Sequence, residues 1–311
     1  MAKLLGGVGT SHVPAIGAAV DHGKTQEPYW KPVFDGMQAA REWIAEVKPD
    51  VCIIVYNDHA SRFALDLTPT FALGVGTEFP PHDEGYGPRP VPAVKGDAEF
   101  GWHLAESLIL DEFDITIVSD MTVDHGLTVP LSVMFGQPDE WPCKVIPLCV
   151  NVIQYPPPTG NRCFKLGKAI RHAIESYDPD IKVAIFGTGG LSHQISGPRA
   201  GLINSKFDKA FLDNLTKDPK KLTRIQHLEY MREAGAEGIE MVMWLVMRGA
   251  LEDKVDEVYR FYTVPASNTA VGHIILEPHR RAAKKSAGKS KKPAGKMKRA
   301  AARAKVDRVR S

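Results

Sequence analysis

The chain has 311 residues, of which 43% are hydrophobic and 24% are charged. This length is sufficient for one large domain or two, each with a buried core. Gly, Pro and charged residues stay near ordinary levels, which excludes a collagen-like, coiled-coil or generally disordered protein. The chemistry of the protein therefore has to be sought in a local site.

The net charge of +2 is the sum of two unlike regions. Residues 280–311 contain 14 Lys or Arg and one acid, a net charge of +13, whereas the first 279 residues contain 25 basic and 36 acidic residues, a net charge of −11. The basic region has almost no large apolar residue, so we predict a folded domain over 1–279 and a disordered tail over 280–311. A nucleic-acid-binding arm is the less favoured interpretation of the tail, because no basic face or base-stacking aromatic cluster in the body supports it.

The cysteines and the hydropathy of the chain indicate its compartment. Four cysteines are scattered without a C-x-x-C pair, which predicts reduced core thiols. Residues 1–20 lack a signal-like apolar stretch, and no run reaches the roughly 18 apolar residues that a membrane span needs. We expect a cytoplasmic protein without a membrane segment.

Strand-like and helix-like segments alternate along the body. Residues 4–9 and 51–56 are short apolar runs separated by a segment with helical periodicity, which predicts a βαβ unit. Further strands are predicted at 70–75, 115–118, 145–152 and 183–186, helices near 97–110 and 160–176, a helical region over 204–250, and a final strand pair in VYRFYTV and VGHIIL. This alternation predicts an α/β fold, a single domain with a largely parallel or mixed central sheet covered by helices.

Residues 76–96, GTEFPPHDEGYGPRPVPAVKG, are rich in Pro and Gly and too long for an ordinary connector. Long ordered loops in compact domains are often functional. We expect this segment to contribute to function.

Four of the 11 histidines follow strand-like runs: His12, His59, His125 and His193. Loops at the carboxyl ends of strands in an open α/β sheet gather at one crevice, where ligands bind. A single histidine there is more often a loop hydrogen-bonder than a ligand. Four in the same topological position indicate a metal site or an acid–base site at this edge.

Glu240 supplies a carboxylate, because it precedes the apolar run MVMWLVM on a helix predicted to be buried. A buried charge needs a partner, either a metal ion or an ordinary Arg or Lys. Glu237 is a competitor that periodicity alone does not exclude.

Two histidines and one carboxylate make the facial triad of non-haem Fe(II) oxygenases. An ion held by three protein groups keeps about three open positions, enough for a catechol and dioxygen. The donor set favours Fe(II), although Mn(II) accepts the same ligands. Other motifs are weaker: GGVGTSH lacks the spacing of a dinucleotide loop, and GTGGLSH is not a nucleophile elbow, which leaves a Ser192 hydrolase as a remote alternative.

Nine stretches of the sequence, in order from about residue 3 to 277, resemble the class III (LigB-type) extradiol ring-cleaving dioxygenases, in particular the catalytic beta subunits of protocatechuate 4,5-dioxygenases. The most informative are TSHVPAIGAA, VYNDHASRFALDLTPTFA, VDHGLTVPLS, GTGGLSHQISGPRAGLIN, GAEGIEMVMWLVMRGAL and FYTVPASNTAVG. The basic tail is not part of the resemblance. The resemblance implies that residues 1–279 are the extradiol dioxygenase catalytic domain.

Carried over by motif, the resemblance implies a role for seven residues. His12, His59 and Glu240 correspond to the Fe(II) ligands, which favours Glu240 over Glu237. His193 corresponds to the acid–base histidine and His125 to the second active-site histidine. Ser267 and Asn268 correspond to positions that line the pocket for the substrate's ring substituent.

The implied reaction is extradiol cleavage of protocatechuate by O2 to 4-carboxy-2-hydroxymuconate semialdehyde. The implied partner is a small alpha subunit that caps the active site, since no capping segment follows Pro278 apart from the basic tail. Two alternatives stay open: the same chemistry on gallate, 3-O-methylgallate or another catechol, and a non-enzymatic member that uses the fold for binding.

Overall fold

Ten strands and nine α-helices make up the described residues, 1–265 and 268–279, of the computed structural model. The strands are β1 (Lys3–Thr10), β2 (Val51–Tyr56), β3 (Phe71–Gly74), β4 (Glu78–Phe79), β5 (Val94–Lys95), β6 (Thr116–Val118), β7 (Lys144–Val150), β8 (Lys182–Thr188), β9 (Val255–Thr263) and β10 (Val271–Pro278). The helices are α1 (Pro14–Asp21), α2 (Lys31–Val47), α3 (Ala98–Leu110), α4 (His125–Phe135), α5 (Gly160–Glu175), α6 (Ser205–Lys217), α7 (Pro219–Leu222), α8 (His227–Ala234) and α9 (Met241–Ala250), with a 3-10 helix over Glu237–Glu240 before α9.

Eight of the strands form one mixed sheet in the order β6-β3-β7-β2-β8-β1-β10-β9. The four neighbours β7, β2, β8 and β1 are parallel, whereas β3 pairs with β7 antiparallel and β10 pairs antiparallel with both β1 and β9. Every residue of β2 is buried, as expected for a parallel strand covered on both faces. The predicted α/β fold with a mixed central sheet is confirmed.

Helices cover both faces of the sheet because side chains along a strand alternate in direction. On β2, Val51, Ile53 and Val55 belong to a core that also contains residues of α3, α5 and α9. The intervening residues of β2 belong to a second core with residues of α1, α2 and α4. The strand that leads to the site at the end of β2 is therefore packed on both faces.

The structure adds elements that the sequence pattern did not indicate. Two helices were not predicted: α1 begins two residues after His12, and α4 begins at His125 itself. The segment 76–96 contains a two-stranded sheet of β4 and β5. The four cysteines are free and buried, as predicted. The predicted tail, 280–311, lies outside the described residues.

Across the part of the chain that the structure describes, no helix is both long and apolar enough to cross a membrane.

Helix α9, which carries Glu240 at its amino end, packs against α5 through glycines. A Cβ atom on Gly249 would overlap the backbone oxygen of Phe164, and one on Gly167 would overlap the backbone oxygen of Val246. Backbone cannot move aside as a flexible side chain can. The two glycines therefore set how closely α9 approaches α5, and with it the position of Glu240.

We expect Gly249→Ala to lower the free energy of unfolding by about 2 kcal/mol or more, because steric overlap in a packed core outweighs the roughly 1 kcal/mol that alanine adds in helix propensity. Urea unfolding measures the loss. Gly101→Ala in α3 is the matched control, since the heavy atom nearest to its added carbon would be at 3.2 Å. An equal loss in both variants would contradict this role for the crossing.

His273 on β10 is fully buried, and burial lowers its pKa to about 4. Its Nδ1 lies 2.9 Å from Thr10 Oγ1, while Nε2 has no hydrogen-bond partner among the described residues. The folded state therefore binds a proton less readily than the unfolded state, whose histidine pKa is about 6.5. Stability contributed by neutral His273 is complete above the unfolded pKa and falls as the pH drops towards the folded pKa.

We expect the free energy of unfolding of the wild type to decrease by on the order of 2 kcal/mol more than that of His273→Gln between pH 7 and pH 4.5. Urea unfolding at both pH values tests this difference. His22→Gln, which removes an exposed histidine, is the control and should follow the wild type. Parallel pH profiles for the wild type and His273→Gln would contradict the prediction.

Candidate functional site

Three candidate histidines lie just beyond the carboxyl ends of adjacent parallel strands. His59 follows β2, His193 follows β8 and His12 follows β1, and these strands are neighbours in the sheet. The carboxyl edge of such a sheet is where ligands bind in open α/β folds. His125 reaches the same place at the start of α4, with its ring stacked on that of His59 at a centroid distance of 3.9 Å.

His12, His59 and Glu240 form a group whose ligand atoms all lie within 4.8 Å of one another. Glu240 Oε2 is 3.4 Å from His12 Nε2, and Glu240 Oε1 is 3.8 Å from His59 Nε2. Nε2 of His12 is buried and has no hydrogen-bond partner among the described residues. Nitrogen and oxygen ligands lie about 2 Å from a metal ion, so these atoms are spaced as donors to one ion are.

Glu240 is the last residue of the 3-10 helix and precedes α9, rather than lying within the apolar helix as predicted. Glycines at the end of β8 make room for it. A Cβ on Gly189 would come within 2.8 Å of Glu240 Cβ, and the amide of Gly190 donates to Glu240 Oε2 at 2.7 Å. The glycines of GTGG therefore serve to bring this carboxylate up to the histidines.

Glu237 points away from the group: its Oε2 accepts a hydrogen bond from the amide of Ile195 at 3.2 Å. It fixes the loop after His193. Of the two glutamates weighed from the sequence, the structure brings only Glu240 to the histidines.

Glu240 is 3% exposed and has no Arg or Lys partner among the described residues. Burial alone would raise the pKa of this carboxyl, but the close approach of His12 and His59 lowers it well below its usual range. For His59, burial lowers the pKa, but Asp124 and Glu240 outweigh it and raise the pKa to about 10. The site therefore holds a buried anion that attracts positive charge.

Hydrogen bonds to Nδ1 hold the rings of His12 and His59; Nε2 of His12 has no partner among the described residues, whereas Nε2 of His59 lies 3.1 Å from Asn57 Nδ2. Asp124 Oδ2 lies 2.9 Å from Nδ1 of His59 and also accepts from its amide at 2.7 Å. Thr188 Oγ1 lies 3.0 Å from Nδ1 of His12 and itself donates to the carbonyl of Gly126. In each pair the oxygen accepts a hydrogen bond from Nδ1–H, so Nε2 is the nitrogen that carries the lone pair when the ring is neutral.

Asp124 also caps α4, because its Oδ1 accepts from the amide of Gly126 at 2.9 Å. Burial would raise the pKa of Asp124, but the hydrogen bond and charge of His59 lower it to about 2. One carboxylate thus fixes the ring of His59 and the start of the helix that carries His125.

His193 is held by its backbone and by Nδ1, which lies 2.8 Å from the carbonyl of Leu191. Its Nε2 is 3.8 Å from Glu240 Oε2, so it lies beside the group formed by His12, His59 and Glu240. The adjacent Ser192 is buried and donates to Asp208 Oδ2 at 2.6 Å. Ser192 therefore makes no hydrogen bond to His193, and the geometry does not support a Ser192 hydrolase.

Of the two positions that the resemblance assigns to the substrate's ring substituent, the structure describes one. Ser267 lies outside the described residues. Asn268 is exposed, has a φ of 53°, and precedes Thr269, which forms an isolated β-bridge with His193. Asn268 therefore lies beside the segment that carries His193.

Comparison with known proteins decides the family. Residues 6–272 match the family described as the catalytic LigB subunit of aromatic ring-opening dioxygenases. The chain belongs to the LigB family. The matched range contains all three candidate ligands, from His12 to Glu240.

Curated relatives of this LigB protein include gallate dioxygenase of Pseudomonas putida, 44% identical over 200 residues, 64% of this chain and 58% of that protein. A 2,3-dihydroxyphenylpropionate/2,3-dihydroxicinnamic acid 1,2-dioxygenase of Photorhabdus laumondii is 30% identical over 223 residues, 71% of this chain and 66% of that protein. The chain thus spans less than two thirds of either relative. An uncharacterized protein of Escherichia coli K12, JW3007, shares the fold, with a TM-score of 0.56 and 12% identity over 87% of this chain and 99% of that chain.

Sequence reasoning missed Glu84, Asp124 and Thr188, which bond to histidine rings, and Asp208, which accepts hydrogen bonds from Ser192 next to His193. Asp124 had a usable signal, since an Asp directly before a helix is a common cap. Thr188 and Asp208 had none, because their contacts join residues far apart in the chain.

We expect Asp124→Asn to weaken metal binding about 10- to 100-fold, because the ring of His59 loses a charged hydrogen-bond acceptor. Titration of the metal-free protein with Fe(II) or Mn(II) under anaerobic conditions measures the affinity. Asp97→Asn is the matched control, because Asp97 also caps a helix, α3, by accepting from Phe100, but touches no candidate ligand. Equal affinities for Asp124→Asn and Asp97→Asn would contradict the role of Asp124.

Proposed function

We propose that this LigB protein is an Fe(II)-dependent extradiol dioxygenase, acting as a catalytic beta subunit on protocatechuate and O2 to give 4-carboxy-2-hydroxymuconate semialdehyde. The observation that carries the proposal is the convergence of His12, His59 and Glu240 at the sheet edge of a LigB chain. Two imidazoles and one carboxylate are the protein ligands of non-haem Fe(II) oxygenases.

The residues present fit a divalent cation. The buried Nε2 of His12 has no hydrogen-bond partner among the described residues, and Glu240 is an anion without a basic counterpart there. A cation bound by His12, His59 and Glu240 would satisfy both. Mn(II) accepts the same donors, so the experiment below includes both metals.

When bound, Fe(II) would lower the pKa of a catechol hydroxyl and bring the organic substrate and O2 together. The chain's own residues then handle protons. His193 has Nδ1 engaged with the carbonyl of Leu191, so Nε2 is the atom that takes the proton released by the substrate. His125, stacked on His59, donates or accepts a hydrogen bond at the reacting groups.

A second substrate, gallate, is favoured by one observation: the relative that is 44% identical over 200 residues is named gallate dioxygenase. Gallate and protocatechuate are both catechols with a ring carboxylate. The same iron site serves either, and the choice depends on the pocket around the ring.

We further propose that a small alpha subunit covers the active site. Exposed apolar side chains lie in the segments that follow the carboxyl ends of β2, β7 and β8 and in segment 76–96: Leu65 is 85% exposed, Tyr86 100%, Tyr155 90% and Ile195 65%. Large exposed apolar groups that lie together are typical of an interaction surface. The subunit would exclude water from the reaction.

The decisive experiment is anaerobic reconstitution with Fe(II) or Mn(II), followed by addition of protocatechuate or gallate and O2, with and without the alpha subunit of a protocatechuate 4,5-dioxygenase. We expect a yellow semialdehyde with one O2 consumed per substrate, and a higher kcat with the partner. A metal-loaded protein that consumes no O2 with either catechol would refute the activity. Full activity of a monomeric chain alone would refute the partner.

We expect His193→Phe to retain metal while kcat falls about 10²- to 10⁴-fold, because the variant lacks the group that accepts the substrate's proton. Glu240→Gln should instead lose metal, since an amide is a far weaker ligand than a carboxylate. Metal content and steady-state O2 uptake, measured on the same samples, separate the two effects. Near-normal kcat in His193→Phe would show that another residue is the base.

A further inference from the structure

Glu84 in the Pro- and Gly-rich segment 76–96 contacts His125 with both carboxylate oxygens. Its Oε1 accepts from the amide of His125 at 2.8 Å, and its Oε2 lies 2.5 Å from Nδ1 of the ring. The Glu84 side chain is 25% exposed and that of His125 is 10% exposed. Glu84 therefore turns its carboxylate towards His125 at the candidate site and is largely shielded from solvent.

Hydrogen bonds on both sides of Glu84 fix the segment to the elements around the site. The amide of His82 donates to the carbonyl of Val123, and that of Val123 donates to the carbonyl of Pro80.

Arg89, on the other side of Glu84, forms a two-point ion pair with Asp21 at the end of α1. The same guanidinium donates to hydroxyls of α4, those of Thr128 and Ser132. Glu84 is thus presented from a loop anchored to α1 and α4.

The ring of His125 has little freedom in this setting. It stacks on His59 at 3.9 Å and lies edge-on to His12 at 5.8 Å between centroids. A carboxylate only accepts hydrogen bonds, so Nδ1 of His125 must carry a proton wherever it bonds to Glu84. Nε2 has no hydrogen-bond partner among the described residues and is left for a ligand.

We propose that Glu84 is a positioning residue for the ring-cleavage reaction, which fixes the orientation and the Nδ1 proton of His125 so that Nε2 meets the reacting groups. This inference rests on the proposed function for its effect on turnover. It gives segment 76–96 a specific task, to supply the carboxylate partner of an active-site histidine from outside the sheet.

The test is Glu84→Gln, which keeps the size of the side chain and the acceptor for the amide of His125. Its amide NH2 faces Nδ1 and can only donate there, so the ring proton moves to Nε2. Asp83→Asn is the matched control, because Asp83 accepts only from the amides of Gly85 and Gly87 at the loop tip, and asparagine can still do so. Thermal unfolding of both variants verifies folding.

Two measurements follow. Long-range 1H–15N correlation spectra of the metal-free protein, assigned with His125→Asn, report which ring nitrogen of His125 is protonated. Steady-state O2 uptake of the Fe(II)-loaded enzyme with protocatechuate or gallate reports kcat and KM. In Glu84→Gln we expect Nδ1 to lose its proton and kcat to fall about 10- to 100-fold, while KM and Fe(II) affinity change less than about threefold. Asp83→Asn should match the wild type in both measurements.

The outcomes separate the inference from the function on which it rests. An active wild type with Glu84→Gln at near-normal kcat would overturn the positioning role, as would unchanged ring protonation in that variant. A wild type that consumes no O2, combined with a ring proton that moves in Glu84→Gln, would refute the proposed function and leave the control of His125 by Glu84 established.

Discussion

The burial of the Glu240 carboxylate among imidazole rings is the interaction on which the arrangement of the site depends. A buried carboxylate costs free energy unless hydrogen bonds and positive charge compensate for it. Here the amide of Gly190 supplies one hydrogen bond, and His12 and His59 lower the pKa of the acid. The glycines at the end of β8 and at the crossing of α5 and α9 give the carboxylate its place.

The outer partners of the histidines follow one chemical rule. His59 bonds through Nδ1 to Asp124, His12 to Thr188, and His193 to the carbonyl of Leu191. Each partner accepts a hydrogen bond from Nδ1, on the side of the ring away from the centre. The three Nε2 atoms are therefore directed at one small volume, although the rings follow three different strands. Such outer partners commonly control ligand affinity as strongly as the ligands themselves.

The parts of the fold predicted well are those with a local signal. Residues 51–56 form an unbroken apolar run and become a fully buried parallel strand, and the histidines after such strands meet at the sheet edge. The parts missed depend on contacts between distant residues. Nothing near Glu84 in the sequence reveals its contact with His125, 41 residues away. Helix α4 was missed although Asp124, directly before it, is a common type of helix cap.

The choice between Glu237 and Glu240 shows why periodicity alone was insufficient. The two residues are three apart, so both fit one helical face. The chain forms a 3-10 helix there, and the glycines of β8 admit only the second glutamate, while the first fixes the loop at Ile195. To choose between the two glutamates, one must know which residues pack against them, and Gly190, which bonds to Glu240, lies 50 residues earlier in the chain.

The order in which the ribosome synthesises the chain determines when the candidate ligands can meet. His12 and His59 emerge early, but Glu240 emerges only after most of the chain, and β10, which pairs with β1, comes later still. A nascent chain that ends before α9 holds both imidazoles without their carboxylate. The three candidate ligands can therefore come together only after the residues up to Glu240 have been synthesised.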